Sequence, residues 1–397
     1  MTNGLRGLAR LALALGASFP CAATLRAQPT LRRLPKAEAE YRDPFTTISG
    51  LRELADGRVI VADMRDKSLV LLDLARGTSS PVGRQGAGPA EWGMATVLYP
   101  LPGDTTLMLD FTNARLFLIG PDGKPATTVR LAEQSPLFSA QLTGVDAAGR
   151  MLLVRSRPPA KPTDPSVGVV DVLRYDRISG RVDTVTTLAE PKGEQTGARM
   201  LDGGMMQWVT NLPYAARDLA AIAPDGRVAI VRAAPYRVEW IAPDGRRTVG
   251  PVAESPNVRI TAAEKDDFTR NSIRPGAILV RGAPLSPTGK GSPARKAPTM
   301  PKPDLEKIFT PDQRWPAVKP PFLDAALRIA PDGRAWVLRT RAWDDSIPTY
   351  DVFDATGRVV ERVALPARTK LVGFGRGTLY LARADEDDLA WLQRVRR

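Results

Sequence analysis

The sequence predicts an all-β chain, a six-bladed antiparallel β-propeller, and three observations point there. A turn glycine, an apolar strand and a charged strand end recur six times in the 397 residues. The copies run 57–63, 103–110, 149–155, 226–232, 333–339 and 377–383, and in all but the second the charge falls six residues after the glycine. A register kept from copy to copy marks a repeat architecture, in which each unit buries its faces only against its neighbours. Turns such as Ala55-Asp56-Gly57 and Pro121-Asp122-Gly123 join short apolar runs. They supply the backbone angles of antiparallel hairpins. Finally, the last unit is one strand short, whereas the stretch near 31–41 has no unit of its own. If that stretch supplies the missing outer strand, the ring closes without a free sheet edge.

In chain order, the first unit spans 51–74, with strands at 59–62 and 68–73 around the turn Met64-Arg65-Asp66-Lys67. The second repeats it with Leu107-Met108-Leu109-Asp110, a turn at Phe111-Thr112-Asn113-Ala114, and a strand at 115–119. The third, 137–188, carries a proline-rich detour at 158–165. The fourth covers 219–252, the fifth 323–365, and the sixth runs from 371 to the chain end. Between the fourth and fifth lies a basic insertion, 256–321, holding 12 of the 36 prolines and 12 basic against 6 acidic residues. Thr261 followed by Ala262-Ala263-Glu264 reads as an N-cap with an acidic first turn, so a short helix is expected at 261–268. Residues 304–309 suggest another helical turn, and 284–303 form a low-apolarity link.

Residues 1–27 read as an export leader: Arg6 and Arg10, the apolar run 11–17, then small residues. The rest, 28–397, is the propeller. The expected location is periplasmic or extracellular. Cys21 offers lipid anchoring as the alternative, although Phe19-Pro20 departs from the small residues such a site wants. No stretch approaches the roughly 20 apolar residues of a membrane helix. The chain has no histidine, and its single cysteine lies in the leader. A processed chain therefore forms no disulfide, and histidine- or cysteine-based nucleophilic catalysis is excluded. Ordinary zinc, copper and haem sites are excluded too. The net charge of +13 favours acidic partners. The leader and the scatter of the basic residues argue against nucleic acid.

The pattern Asp110, Asn113, Arg115, followed by a strand and an Asp-Gly turn, resembles the NHL-type and TolB-like β-propellers. Asp63, Asp66 and Ser68 stand at the matching positions of the first unit, and the later units carry Arg in place of the strand-end Asp. The loop Gly83-Arg84-Gln85-Gly86-Ala87-Gly88-Pro89-Ala90-Glu91-Trp92 resembles one found in secreted bacterial six-bladed propeller proteins. The resemblance covers all but the leader and part of the insertion. It implies the fold and leaves function open.

In such a ring the strand-end residues Asp63, Asp110, Arg155, Arg232, Arg339 and Arg383 fall near one face. Arg157, Arg341 and Trp343 extend that surface, and Trp315 and Lys319 are placed to cap it. Guanidinium forks suit carboxylate, phosphate or sulfate groups. The expected function is therefore a non-catalytic, monomeric binding or scaffold protein that needs no cofactor. Its partner would be an anionic small molecule, a glycan or an acidic protein surface. A different reading pairs these charges with neighbours and turn amides. A hydrolase or lyase using Ca2+ is the enzymatic alternative, needing clustered oxygen ligands. Recognition through the basic insertion is a third.

Overall fold

The structure, a computed structural model, describes residues 29–157, 168–189, 193–201, 204–211, 213–272 and 315–397. The expected leader with Cys21, the detour at 158–165 and the 284–303 and 304–309 stretches lie outside the described residues, wholly or nearly so.

Six antiparallel sheets follow one another along the chain. Blade one is Gly50–Glu53, Val59–Asp63, Ser68–Asp73 and Thr78–Pro81. Blade two is Leu98–Pro100, Thr106–Asp110, Arg115–Ile119 and Pro125–Arg130. Blade three is Gln141–Val145, Met151–Arg157, Val169–Tyr175 and Val182–Ala189. Blade four is Leu219–Ile222, Val228–Ala233, Tyr236–Ile241 and Arg247–Val249. Blade five is Leu327–Ile329, Ala335–Leu338, Thr349–Phe353 and Val359–Ala364. Blade six is Thr369–Phe374, Thr378–Ala384 and Ala390–Arg396.

The ring closes as expected, with one addition. Ala39–Glu40 pairs antiparallel with Ala390–Arg396 and becomes the fourth strand of blade six. Just upstream, Thr30–Arg33 runs parallel to Val359–Ala364 as a fifth strand of blade five. One N-terminal stretch thus fastens two blades, and Arg32 pairs with Glu361 along the seam.

Each sheet is apolar on both faces, so each must be covered on both sides. A separate core fills each junction. Ile60 and Leu71 of blade one meet Met108 and Phe117 of blade two. Leu107 meets Leu153 between blades two and three, and Leu152 meets Ile230 between three and four. Trp240 and Val231 meet Phe353 between four and five. Trp336 meets Leu381 between five and six, and Tyr380 meets Val61 between six and one. Each such buried side chain contributes about 1.5–3 kcal/mol by leaving water.

Strands alternate in direction within a blade. The links between second and third strands, and those between blades, therefore emerge on one face, here the upper. The glycine turns close the lower face; Gly57, for example, holds φ +88°, which its missing Cβ permits. The upper face carries the long connections. One includes a two-stranded hairpin, Gly193–Leu201 with Gly204–Asn211, absent from the sequence expectation. Another is the insertion, whose helix Ala262–Ser272 starts where expected, with Thr261 Oγ1 accepting from the Glu264 N–H at 3.2 Å. The insertion is pinched at its base, where Arg259 bridges Val318 and the Lys319 N–H donates to Val258 O. Among the described residues no helix is long and apolar enough to cross a membrane.

Candidate functional site

The strand-end residues lie at the upper ends of the second strands, as the repeat predicts, and every one has a partner. Asp63 is fully buried. Its Oδ1 accepts from the Arg65 and Asp66 amides at 2.9 and 3.1 Å, and its Oδ2 from the Thr47 amide at 2.9 Å. Asp110 is buried as completely. It accepts from Asn113 Nδ2 at 2.8 Å, Arg115 Nε at 3.1 Å and the Gly93 amide at 3.1 Å. A Cβ on Gly93 would fall 2.4 Å from Thr112 Cβ, so glycine is what lets this amide reach the carboxylate.

The two motifs that carry the family resemblance meet here. Asn113 donates to Gly86 O, and Arg115 to Ala87 O, Gly88 O and Glu91 O. The glycine-rich loop is therefore an inter-blade connection tied down by blade two, and Trp92 is buried with its Nε1 on Val82 O.

In blades three to five the strand end is a guanidinium, and its counter-charge sits on the third strand. Arg155 donates to Asp171 through Nε and Nη2 at 3.3 and 2.9 Å, and Arg157 Nε reaches the same carboxylate at 3.0 Å. Arg232 spans Asp218 and Glu239 at 2.7 and 3.0 Å, and Arg237 also holds Glu239. Arg339 and Arg362 grip Asp351 at 2.7 and 2.9 Å, and the Tyr236 hydroxyl donates to it from blade four. In blade six Arg383 makes a two-pronged contact with Glu40 of the closing strand and lies over Trp391.

These pairings set the charges. Burial works against ionisation of Asp171, yet the bonds from Arg157 and Arg155 hold its carboxyl below the ordinary range. Glu239 is likewise depressed: burial opposes its charge, and Arg232 and Arg237 overcome it. Burial, then the adjacent Asp351 carboxylate, push the Tyr236 phenol well up, so it remains a neutral donor. Asp171, Glu239 and Asp351 were not singled out from sequence. Their signal was present: each is a lone acid between apolar residues inside a strand, as in Val170-Asp171-Val172, Val238-Glu239-Trp240 and Tyr350-Asp351-Val352. A carboxylate buried in such a strand requires a cationic partner.

Exposure separates the expected contacts. The side chains of Arg155 and Arg157 are 40% and 55% exposed, those of Arg232 and Arg339 22% and 12%. Trp343 is half exposed on the link between the second and third strands of blade five, where Arg341 Nε donates to Asp345 O. Trp315 and Lys319 are buried. Trp315 packs on Tyr214 and Phe268. Lys319 Nζ holds Glu264 at 2.5 Å and donates to Arg341 O at 2.8 Å. They clamp the insertion helix to blade five from beneath the surface. Among the described residues no three of His, Cys, Asp and Glu come together as a metal set.

No family model matches the chain, and no curated protein does. Solved structures similar to it include a gluconolactonase from Xanthomonas campestris, with 12% identity, 91% of each chain covered and a TM-score of 0.45. Virginiamycin B lyase from Staphylococcus aureus is similar over 91% of this chain and 98% of its own, at 10% identity and TM-score 0.40. The calcium-binding protein regucalcin from Agrobacterium tumefaciens is similar over 93% and 97%, at 13% identity and TM-score 0.34.

Proposed function

We propose that the protein is an exported, non-catalytic binding propeller that recognises an anionic group on its upper face, through the guanidinium-rich sector of blades three to five. One observation carries this reading: Arg155 and Arg157 outnumber the single carboxylate that orients them and remain about half open to solvent. A carboxylate behind a pair of arginines fixes their planes before the ligand arrives, which lowers the entropy lost on binding. Arg232 and Arg339 continue the sector at lower exposure, and Trp343 offers an aromatic face beside it. The protein acts as a monomer and requires no cofactor. For the lactonase-like or lyase-like alternative no observation speaks: the oxygens of Asp63 and Asp110 are occupied by amides and by Asn113 and Arg115.

The test uses a sulfated hexasaccharide as probe, titrated calorimetrically at low and raised salt. Arg155→Ala with Arg157→Ala should weaken binding about tenfold, the scale of losing charge-assisted hydrogen bonds. The double variant leaves the buried Asp171 carboxylate without a cation, so its melting temperature should fall, and binding is compared at a temperature where circular dichroism shows both proteins folded. Unchanged affinity in the double variant would reject the reading.

A further inference from the structure

The two faces of the ring differ in what they leave uncovered. Large apolar side chains exposed on the upper face include Met64, Val97, Phe111, Phe138, Val252, Val318, Leu323 and Trp343, whereas among the described residues the lower-face turns expose only Ile178. Four of the upper set lie over three adjacent blades, one to three. Met64 and Phe111 occupy the same repeat position, directly after the buried Asp63 and Asp110, and are 45% and 47% exposed. Val97 and Phe138, each 47% exposed, sit just before the innermost strands of blades two and three, beside the channel mouth.

Charge accompanies the apolar surface. Arg65 and Lys67, in the same turn as Met64, are exposed and have no carboxylate partner among the described residues. Asp66, between them, is held by the Thr46 hydroxyl at 2.8 Å. Phe138 leads into blade three, where Arg155 and Arg157 begin the guanidinium sector. One face thus offers, side by side, exposed apolar side chains and cations left over after internal pairing. Exposed apolar patches rimmed by charge mark interaction surfaces.

We propose that the ligand of this face is a polypeptide segment carrying carboxylates interspersed with aromatic or large aliphatic residues, seated across blades one to three. Its apolar side chains rest on Met64, Phe111 and Phe138, and its carboxylates face Arg65, Lys67, Arg155 and Arg157. A purely ionic ligand leaves the apolar sector unused, and a purely apolar one leaves unpaired cations beside it. This identification of the ligand class rests on the anion-binding reading above.

The experiment measures fluorescence anisotropy of a short labelled peptide of repeated Glu-Phe-Glu-Gly units on the full-length protein. Control peptides replace Phe by Ser, or Glu by Lys. The acidic aromatic peptide should bind, and both controls should bind at least about tenfold more weakly. Met64→Ser with Phe111→Ser should weaken the acidic aromatic peptide about tenfold, the scale of one lost apolar anchor, and leave the sulfated hexasaccharide unaffected. Arg155→Ala with Arg157→Ala should weaken both probes. If the arginine variant weakens both but the Met64/Phe111 variant weakens neither, the polypeptide proposal falls and anion binding stands. If the arginine variant weakens neither, the parent reading falls. A dimer in sedimentation that dissociates in the Met64/Phe111 variant would assign the patch to a second copy and overturn the proposal. So would peptide affinity that rises many-fold on deletion of 286–303, which would assign the patch to the chain's own insertion.

Discussion

Blades two and three hold the same ion pair with its members exchanged. In blade two the second strand ends in Asp110, directly opposite Arg115 of the third strand; in blade three Arg155 stands two residues before the end of the second strand, opposite Asp171 of the third. The exchange decides what each arginine does. Arg115, on the third strand and only 10% exposed at its side chain, turns inward and donates to three loop carbonyls besides Asp110. Arg155, near the upper end of the second strand, keeps one edge in solvent. A repeat position therefore conserves a charge pair without conserving its use. With the acid at the rim, the pair is an internal pillar for the connection arriving from the preceding blade. With the base at the rim, it is a surface held ready for an anion.

The largest effect should come from breaking the pillar. Asp110→Ala leaves Arg115 buried without its counter-charge, a situation that costs about 3–5 kcal/mol. It also releases the Gly93 amide and Asn113. Urea unfolding measures this directly, and a loss under about 1 kcal/mol, typical of a surface pair, would show that blade two's pair is no pillar.

A smaller effect should appear at low pH in blades three and four. Asp171 and Glu239 have carboxyls depressed by their arginines despite burial. A depressed carboxyl contributes stability above its unfolded pKa, about 3.9 for Asp and 4.3 for Glu, and that contribution disappears as pH falls through the folded value. Asp171→Asn should therefore lower the melting temperature at neutral pH, and the gap from wild type should close as the pH drops below about 4. Parallel curves down to the acid limit would mean that the Asp171 pairs add nothing to stability.

How much of this could be read beforehand depends on the range of the interaction. The blades were legible because glycine turns and apolar strands are local patterns. Closure by Ala39–Glu40 was legible because the last unit lacks a strand. The parallel strand Thr30–Arg33 was not: its sequence, Thr-Leu-Arg-Arg, has no apolar face to announce a sheet, and its partner lies more than three hundred residues away. The hairpin of Gly193–Leu201 and Gly204–Asn211 was not legible either: Gly193-Glu194-Gln195-Thr196-Gly197 opens its first strand with polar residues and glycines, without an apolar run. The strand-end charges could be placed from the repeat, but not their exposure. That depends on Asp171, Glu239 and Asp351 across the sheet and on carbonyls such as Gly88 O. Lys319 read as a capping cation, and it is drawn below the surface because Glu264, on a helix beginning more than fifty residues earlier, is buried beside it.

The smallest effect sharpens the contrast most. Arg155→Ala removes the register twin of Arg115, yet Asp171 keeps Arg157, whose Nε lies 3.0 Å from it. The side chain lost is also well solvated, so its pair is screened and entropically costly to hold. Unfolding free energy should change by less than about 1 kcal/mol. If Arg155→Ala instead destabilised the protein as much as Asp110→Ala, both arginines would be pillars. The rim of blade three would then hold the ring together, with no guanidinium left to meet a ligand.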